Sequence, residues 1–169
     1  MVQAMATKVT LKARRMMQSD LDEVLEIERA SFPAPWTRVM FQEEMANRSA
    51  RLVVFIEGER IAGYMCFWEV LDEAHLLNIA VHPERRGRGY GKYIMDRLEE
   101  LCRKDGLKRI VLDVARRNAA GRALYRKCGF SSIGFRKNYY TVVGDDAIVM
   151  ERWLGSVQRE EAREGSDRS

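Results

Sequence analysis

Apolar and polar residues alternate from Lys8 to Arg14, with Val9, Leu11 and Ala13 on one side. This period of two predicts a half-buried first strand. The segment Ser19-Asp20-Leu21-Asp22 has the form of a capping box. Leu21, Val24, Leu25 and Ile27 follow at helical spacing, and the helix should end near Ser31 because Pro33 and Pro35 break the pattern. A second short helix is predicted from Thr37 to about Asn47. Three strand-like runs come next: Leu52–Glu57, Arg60–Val70 beyond the hairpin signal Gly58-Glu59, and Ala74–Val81, which ends before Pro83. Their short links point to an antiparallel meander. Ile94, Leu98 and Leu101 mark an amphipathic helix that starts after Gly91 and stops near Gly106. The run Arg109–Val114 reads as a strand buried on both faces. A short helix from Asn118 to Cys128 closes at Gly129, and two strands follow, about Phe130–Tyr140 and Asp146–Trp153.

The order is therefore β-α-α-β-β-β-α-β-α-β-β, an α/β chain with a mixed central sheet of about seven strands flanked by helices. The strand ending at Val81, the helix after Gly91 and the strand at Ile110 form a β-α-β unit, expected as a right-handed parallel crossover. No repeat or linker interrupts the pattern, so residues 8–154 are expected to form one domain. Residues 1–7 and 155–169 are polar enough to be disordered tails.

Composition narrows the class. The chain has 169 residues, 46 % hydrophobic and 32 % charged, with a net charge of +4. That describes a globular domain large enough for a core without metal or disulfide staples. No apolar run approaches the ~20 residues of a membrane helix. The start, MVQAMATKVTLKARR, has no secretory apolar region, so no membrane role and a cytoplasmic location are expected. Cys66, Cys102 and Cys128 are widely spaced and read as small hydrophobes. With His75 and His82 the only histidines, no metal site is expected, and both read as structural or exposed.

The most informative segment is Glu84-Arg85-Arg86-Gly87-Arg88-Gly89-Tyr90-Gly91-Lys92, which joins a strand to a helix. Glycines let the main chain turn its N–H groups toward a ligand, and a helix N-terminus attracts phosphate. Arg85, Arg86, Arg88 and Lys92 add positive charge. The turn is no Walker A loop, because Arg86 stands where the first glycine belongs and Tyr93 follows the lysine. It is no G-x-G-x-x-G fingerprint either. It does fit R-x-x-G-x-G through Arg86, Gly89 and Gly91. A solvated basic turn is the bland alternative.

That motif resembles the coenzyme A pyrophosphate loop of the GNAT N-acetyltransferases. The likeness extends over residues 8–154 through PWT at Pro35–Thr37, VLDEAHLLNIAV at Val70–Val81, NAAGRALYRKCGF at Asn118–Phe130, RKNYY at Arg136–Tyr140 and DAIVM at Asp146–Met150. Together these strings are similar to the RimI-like ribosomal-protein alanine N-acetyltransferases. The resemblance implies the GNAT fold, acetyl-CoA as acetyl donor without metal, and a protein N-terminus as acceptor, with alanine of a small-subunit ribosomal protein foremost. Archaeal relatives take a wider set of N-termini.

The resemblance also distributes roles. Arg86, Gly87, Arg88, Gly89, Tyr90, Gly91 and Lys92 would hold the pyrophosphate, and the main chain of Ile79, Ala80 and Val81 would pair with the pantetheine arm and polarise the thioester carbonyl. That requires the strand ending at Val81 to splay from the one at Ile110. Tyr125 would protonate the leaving thiolate; alternatively it is a packed aromatic. Asn118 would cap its helix and touch the cofactor arm. Asp113 stands where relatives have Glu as the base. Aspartate is one methylene shorter, which favours a water relay, and the alternative is a structural partner for Arg116, Arg117 or a backbone N–H. Glu73 and Glu69 are fallback bases near the substrate groove. Tyr139, Tyr140 and Trp36 would line the acceptor slot, or else belong to the core. Two other functions stay open: acetylation of a lysine side chain or small amine, and a non-catalytic RNA- or ribosome-binding module. A direct nucleic-acid role is not expected, because the basic residues concentrate on one turn.

Overall fold

The structure, a computed structural model, describes residues 10–155. The expected tails, Gly155 apart, and the first residues of the Lys8–Arg14 strand lie outside that range. Seven strands, β1 (Lys12–Arg15), β2 (Ala50–Glu57), β3 (Arg60–Val70), β4 (Glu73–Val81), β5 (Arg109–Ala115), β6 (Ser131–Tyr140) and β7 (Asp145–Trp153), form one mixed sheet. Its order is β1-β2-β3-β4-β5-β7-β6. The helices are α1 (Leu21–Ser31), α2 (Arg38–Ala46), α3 (Tyr90–Lys104) and α4 (Ala119–Lys127). Order and sheet match the reading of the sequence. The chain divides into two compact units: the first runs through Trp68 and resumes over Leu77–Arg97, and the second holds Glu69–Leu76 and everything from Leu98.

In the first unit, Leu21, Val24, Leu25 and Ile27 of α1 pack with Phe41 of α2, Leu52 and Val54 of β2, and Ile61, Tyr64 and Cys66 of β3. The helical stripe in the sequence is thus the buried face. The helix start differs from expectation. Ser19 does not cap; a 3-10 turn over Gln18–Asp20 precedes α1. Asp20 instead accepts the Met17 N–H at 2.7 Å and takes Arg14 Nη1 and Nη2 at 2.7 and 2.8 Å. The carboxylate thus caps the 3-10 turn at Met17 and takes charge-assisted bonds from the guanidinium at the same time. At Thr37 the side chain caps α2, Oγ1 accepting Met40 N–H at 3.3 Å. Gly63 on β3 is a packing glycine: a Cβ there would sit 2.7 Å from the Ala80 carbonyl oxygen and 2.8 Å from Ile94 Cδ1.

In the second unit, β5 runs antiparallel to β7 from Arg109↔Trp153 to Ala115↔Ala147. Burial corrects one expectation, because β5 is not buried on both faces. Ile110, Leu112 and Val114 are buried, while Arg109, Val111 and Asp113 lie on a half-covered face. Two charged side chains at a spacing of four share one face of a strand, so solvent must reach that face. β6 is one edge of the sheet. It is exposed over nearly its whole length, and its pairing with β7 is broken between Ser132 and Gly134 and between Arg136 and Tyr140.

Candidate functional site

The parallel ladder of β4 with β5 starts at Glu73↔Arg109 and ends at Leu76↔Leu112. β4 itself runs on from Leu77 through Ile79 and Ala80 to Val81. After Val81, His82 donates its N–H to Ala62 O at 2.8 Å and a 3-10 turn spans Pro83–Arg85. Gly87 and Gly89 follow with φ of +76° and +82°, and a Cβ at either would meet nothing within 4 Å. Their glycine requirement is therefore conformational: only this residue adopts such φ without strain. Two left-handed glycines one residue apart lead into α3, and the first N–H groups of a helix favour an anion.

The side chains of the turn are more committed than the sequence suggested. Arg86 donates Nε to Val81 O at 3.1 Å and Nη2 to Ser31 Oγ at 2.9 Å, bracing the end of β4 to α1. Arg85 Nε and the Tyr90 hydroxyl both donate to Glu57, at 2.6 and 2.8 Å. These bonds hold the Glu57 carboxyl below its ordinary value, and the bond to Glu57 raises the Tyr90 phenol. Lys92 bonds Asp96 at 2.7 Å. Arg88 is exposed. Arg88 too lies beside the Tyr90 hydroxyl and Glu57, so the turn offers an anion its main chain more than a ring of free cations.

The same unit holds a carboxylate that sequence reasoning missed. Glu28 is 1 % exposed. Its Oε1 accepts the Trp36 N–H at 2.9 Å, and Oε2 accepts Asn78 Nδ2 at 2.9 Å and the Tyr64 hydroxyl. Burial raises its carboxyl, opposed by the bonds from Trp36 and Asn78. The signal was present: Leu21, Val24, Leu25 and Glu28 lie at i, i+3, i+4 and i+7, which puts an acid on the apolar stripe. Trp36 is half-buried, with its ring 5.2 Å from Phe41, so its indole belongs partly to the core.

The second unit gathers Asp113, Tyr125 and Tyr140. Asp113 Oδ1 lies 3.4 Å from Arg136 Nε, an ion pair without hydrogen-bond geometry. Of the partners considered for it, Arg116 pairs with Asp146 instead, and the main-chain N–H of Arg117 donates to Asp145 at 2.9 Å. Tyr140 is pushed up to about 12 by burial and then by the nearby charges of Asp113, Tyr139 and Asp145. Tyr125 is 8 % exposed, its ring 6.0 Å from Phe130. Burial raises its phenol, with Tyr140 and Cys128 adding to the shift. A raised phenol pKa keeps Tyr125 protonated at neutral pH, so that its hydroxyl remains a hydrogen-bond donor. Asn118 caps α4, its Oδ1 accepting the Gly121 N–H at 2.9 Å. Tyr139 is exposed and stacks edge-on with Tyr140 at 5.2 Å.

Glu73 is not with this group. Its carboxylate bonds Arg109 and lies 3.1 Å from His75 Nε2, four strand positions from Asp113. At ~3.3 Å per residue that separation is ~13 Å. Glu69 is half-buried on β3. His82 Nδ1 accepts the Glu84 N–H, and the three cysteines are buried, with burial pushing up the Cys66 thiol. Among the described residues, no group of three metal-ligating side chains converges and no helix is long and apolar enough to cross a membrane.

Comparison with known proteins bears on this geometry. The sequence pattern of the Acetyltransferase (GNAT) family matches residues 21–130. A protein of Bacillus subtilis (strain 168) is 40 % identical over 144 residues, covering 85 % of this chain and 95 % of its own. The [ribosomal protein bS18]-alanine N-acetyltransferase of Haemophilus influenzae is 34 % identical over 138 residues, covering 80 % of this chain and 93 % of its own. The crystal structure of the ribosomal-protein-S18-alanine N-acetyltransferase from Escherichia coli superposes with a TM-score of 0.80 at 29 % identity, covering 88 % of this chain and 96 % of that one. Fold, turn and relatives agree: the chain belongs to the GNAT family of acetyltransferases.

Proposed function

We propose that this chain transfers the acetyl group of acetyl-CoA to the α-amino group of a protein N-terminus, and that its substrate is the N-terminal alanine of ribosomal protein bS18 in the cytoplasm. One stretch carries the reading. From Leu77 to Lys92 the second half of β4 runs into two left-handed glycines and the start of α3. Such a stretch fits the donor's two ends, offering main-chain N–H and C=O groups for an extended amide arm and an N–H-rich turn for a diphosphate. The relatives named for bS18 alanine acetylation support the acceptor. Residues 8–154 act as the catalytic domain.

Reaction proceeds by direct attack of the neutral amine on the thioester carbonyl. An α-amine has a pKa of about 7.7–8.0, so part of it is neutral near pH 7. A main-chain N–H of Ile79–Val81 stabilises the oxyanion as the C–N bond forms, a contribution of a few kcal/mol. The amine's proton leaves to Asp113, through a water because the aspartate is short and engaged with Arg136. The C–S bond breaks, and Tyr125 gives its proton to the departing thiolate. Gly87, Gly89, Tyr90 and Gly91 supply the pyrophosphate turn through their main chain, with Arg88 as its exposed cation. Arg86 and Lys92 shape the turn, and Asn118 caps α4, the helix that carries Tyr125. Tyr139, Tyr140 and Trp36 border the acceptor. Glu73, tied to Arg109, braces the sheet.

The test is mass spectrometry of peptides incubated with acetyl-CoA. Alanine-initiated peptides with a free amino group should gain one acetyl group at the N-terminus, and blocked peptides none. Transfer to lysine in blocked peptides would refute the acceptor assignment.

A further inference from the structure

Glu28 holds the segment that follows α1 by both ends. Phe32 donates its N–H to the Glu28 carbonyl at 3.1 Å, and Trp36 donates its N–H to the Glu28 carboxylate at 2.9 Å. Pro33 and Pro35, lying between, have no N–H to give. The same carboxylate reaches β3 through Tyr64 and β4 through Asn78, the residue before Ile79. All three partners donate, so only an acceptor with several lone pairs satisfies the site. Among the described residues no Lys or Arg forms an ion pair with it. An apolar side chain would pack α1 on the sheet with less desolvation cost. A buried acid at this point therefore answers a need other than packing: it fixes the height of Trp36 relative to β4.

We propose that Glu28 is a positioning residue for the acceptor, clamping the Phe32–Trp36 segment to β4 so that the incoming N-terminus meets a formed wall. The proposal rests on the reading that Trp36 borders the acceptor. It separates the two substrates: acceptor KM depends on Glu28, and acetyl-CoA KM, set by the glycine turn, does not. Glu28→Gln keeps the shape but places an NH2 group against a donor, either the Trp36 N–H or the Asn78 amide. Exchange of polarity across the pair, Glu28→Gln with Asn78→Asp, lets the introduced amide donate to the new carboxylate on β4 and accept from Trp36 again.

The experiment is steady-state kinetics on the full chain with an alanine-initiated peptide and acetyl-CoA, alongside thermal melting. Glu28→Gln should raise peptide KM about tenfold, equivalent to about 1.4 kcal/mol, with acetyl-CoA KM within twofold. The double exchange should return peptide KM to within about threefold of the parent. If Glu28→Gln does not fold, Glu28→Asp, shorter by one methylene, is read by the same criterion. An unchanged peptide KM, or equal rises in both KM values without recovery in the exchange, overturns the proposal. A parent protein that acetylates no free N-terminus refutes the underlying reading instead, which the variants alone cannot do.

Discussion

Gly63→Ala asks whether the donor strand is positioned by a missing side chain. The new Cβ would lie 2.7 Å from the Ala80 carbonyl oxygen and 2.8 Å from Ile94 Cδ1. Ile94 is fully buried, so its methyl has little room to retreat, and the other contact is main chain. Reaching ordinary contact at ~3.4 Å requires a relative shift of about 0.6–0.7 Å, and interiors packed at crystal-like density resist such shifts. Overpacking of this kind costs ~1–3 kcal/mol, offset by ~0.4–1 kcal/mol because alanine restricts the unfolded chain. The net, about 1–2 kcal/mol, lowers Tm by roughly 2–8 °C for a chain of this size. Because Ala80 belongs to the stretch assigned to the pantetheine arm, acetyl-CoA KM should rise several-fold while peptide KM changes little. Differential scanning calorimetry and initial-rate kinetics measure both. An alanine variant as stable as the parent, with unaltered acetyl-CoA KM, would show that β3 and β4 yield freely here and refute the reasoning.

Replacing Tyr125 with Phe should lower kcat by ~10²–10⁴ with the fold intact, as expected for loss of a general acid; a single-turnover rate equal to the parent's discards that role. Asp113→Glu should keep or raise kcat, since the added methylene carries the carboxylate past Arg136 toward the amine; a folded but inactive variant argues against Asp113 as the base. Asp20→Asn concerns acid stability. Hydrogen bonds from Arg14 lower the Asp20 carboxyl from 3.8, so its contribution is present above that pH and lost as pH falls through the lower folded value. With Arg14 one-third exposed, the loss at neutral pH is about 1 kcal/mol. Urea melts should show the two proteins converging below pH 3.8, and a constant gap down to acid would sink this assignment.

What the sequence made legible was local. Periodicity located every strand and helix, because each apolar stripe answers to one sheet or helix face over a few residues. The left-handed turn was legible because only glycine tolerates its φ. Long-range bonding was not. Glu28 reaches partners 8, 36 and 50 residues away, and nothing in a local window marks which acid a fold will bury. Arg86 looked like a ligand cation, yet it commits its guanidinium to Ser31 and Val81, a choice visible only once α1 and β4 stand together. The facing of β5 was misread because a mostly apolar run hides its period when only Arg109 and Asp113 break it.

The open border strand β6 carries a cost of its own. Ile133 and Phe135 stand 50 % and 67 % exposed on it, the kind of rim that invites another chain to add itself. Two interruptions of its ladder and the cations Arg136 and Lys137 discourage such stacking. Arg136 is also the counter-ion of Asp113. Engineering the acid–base chemistry through that arginine therefore trades turnover against colloidal behaviour, and a neutralised variant should be judged by light scattering as well as by rate.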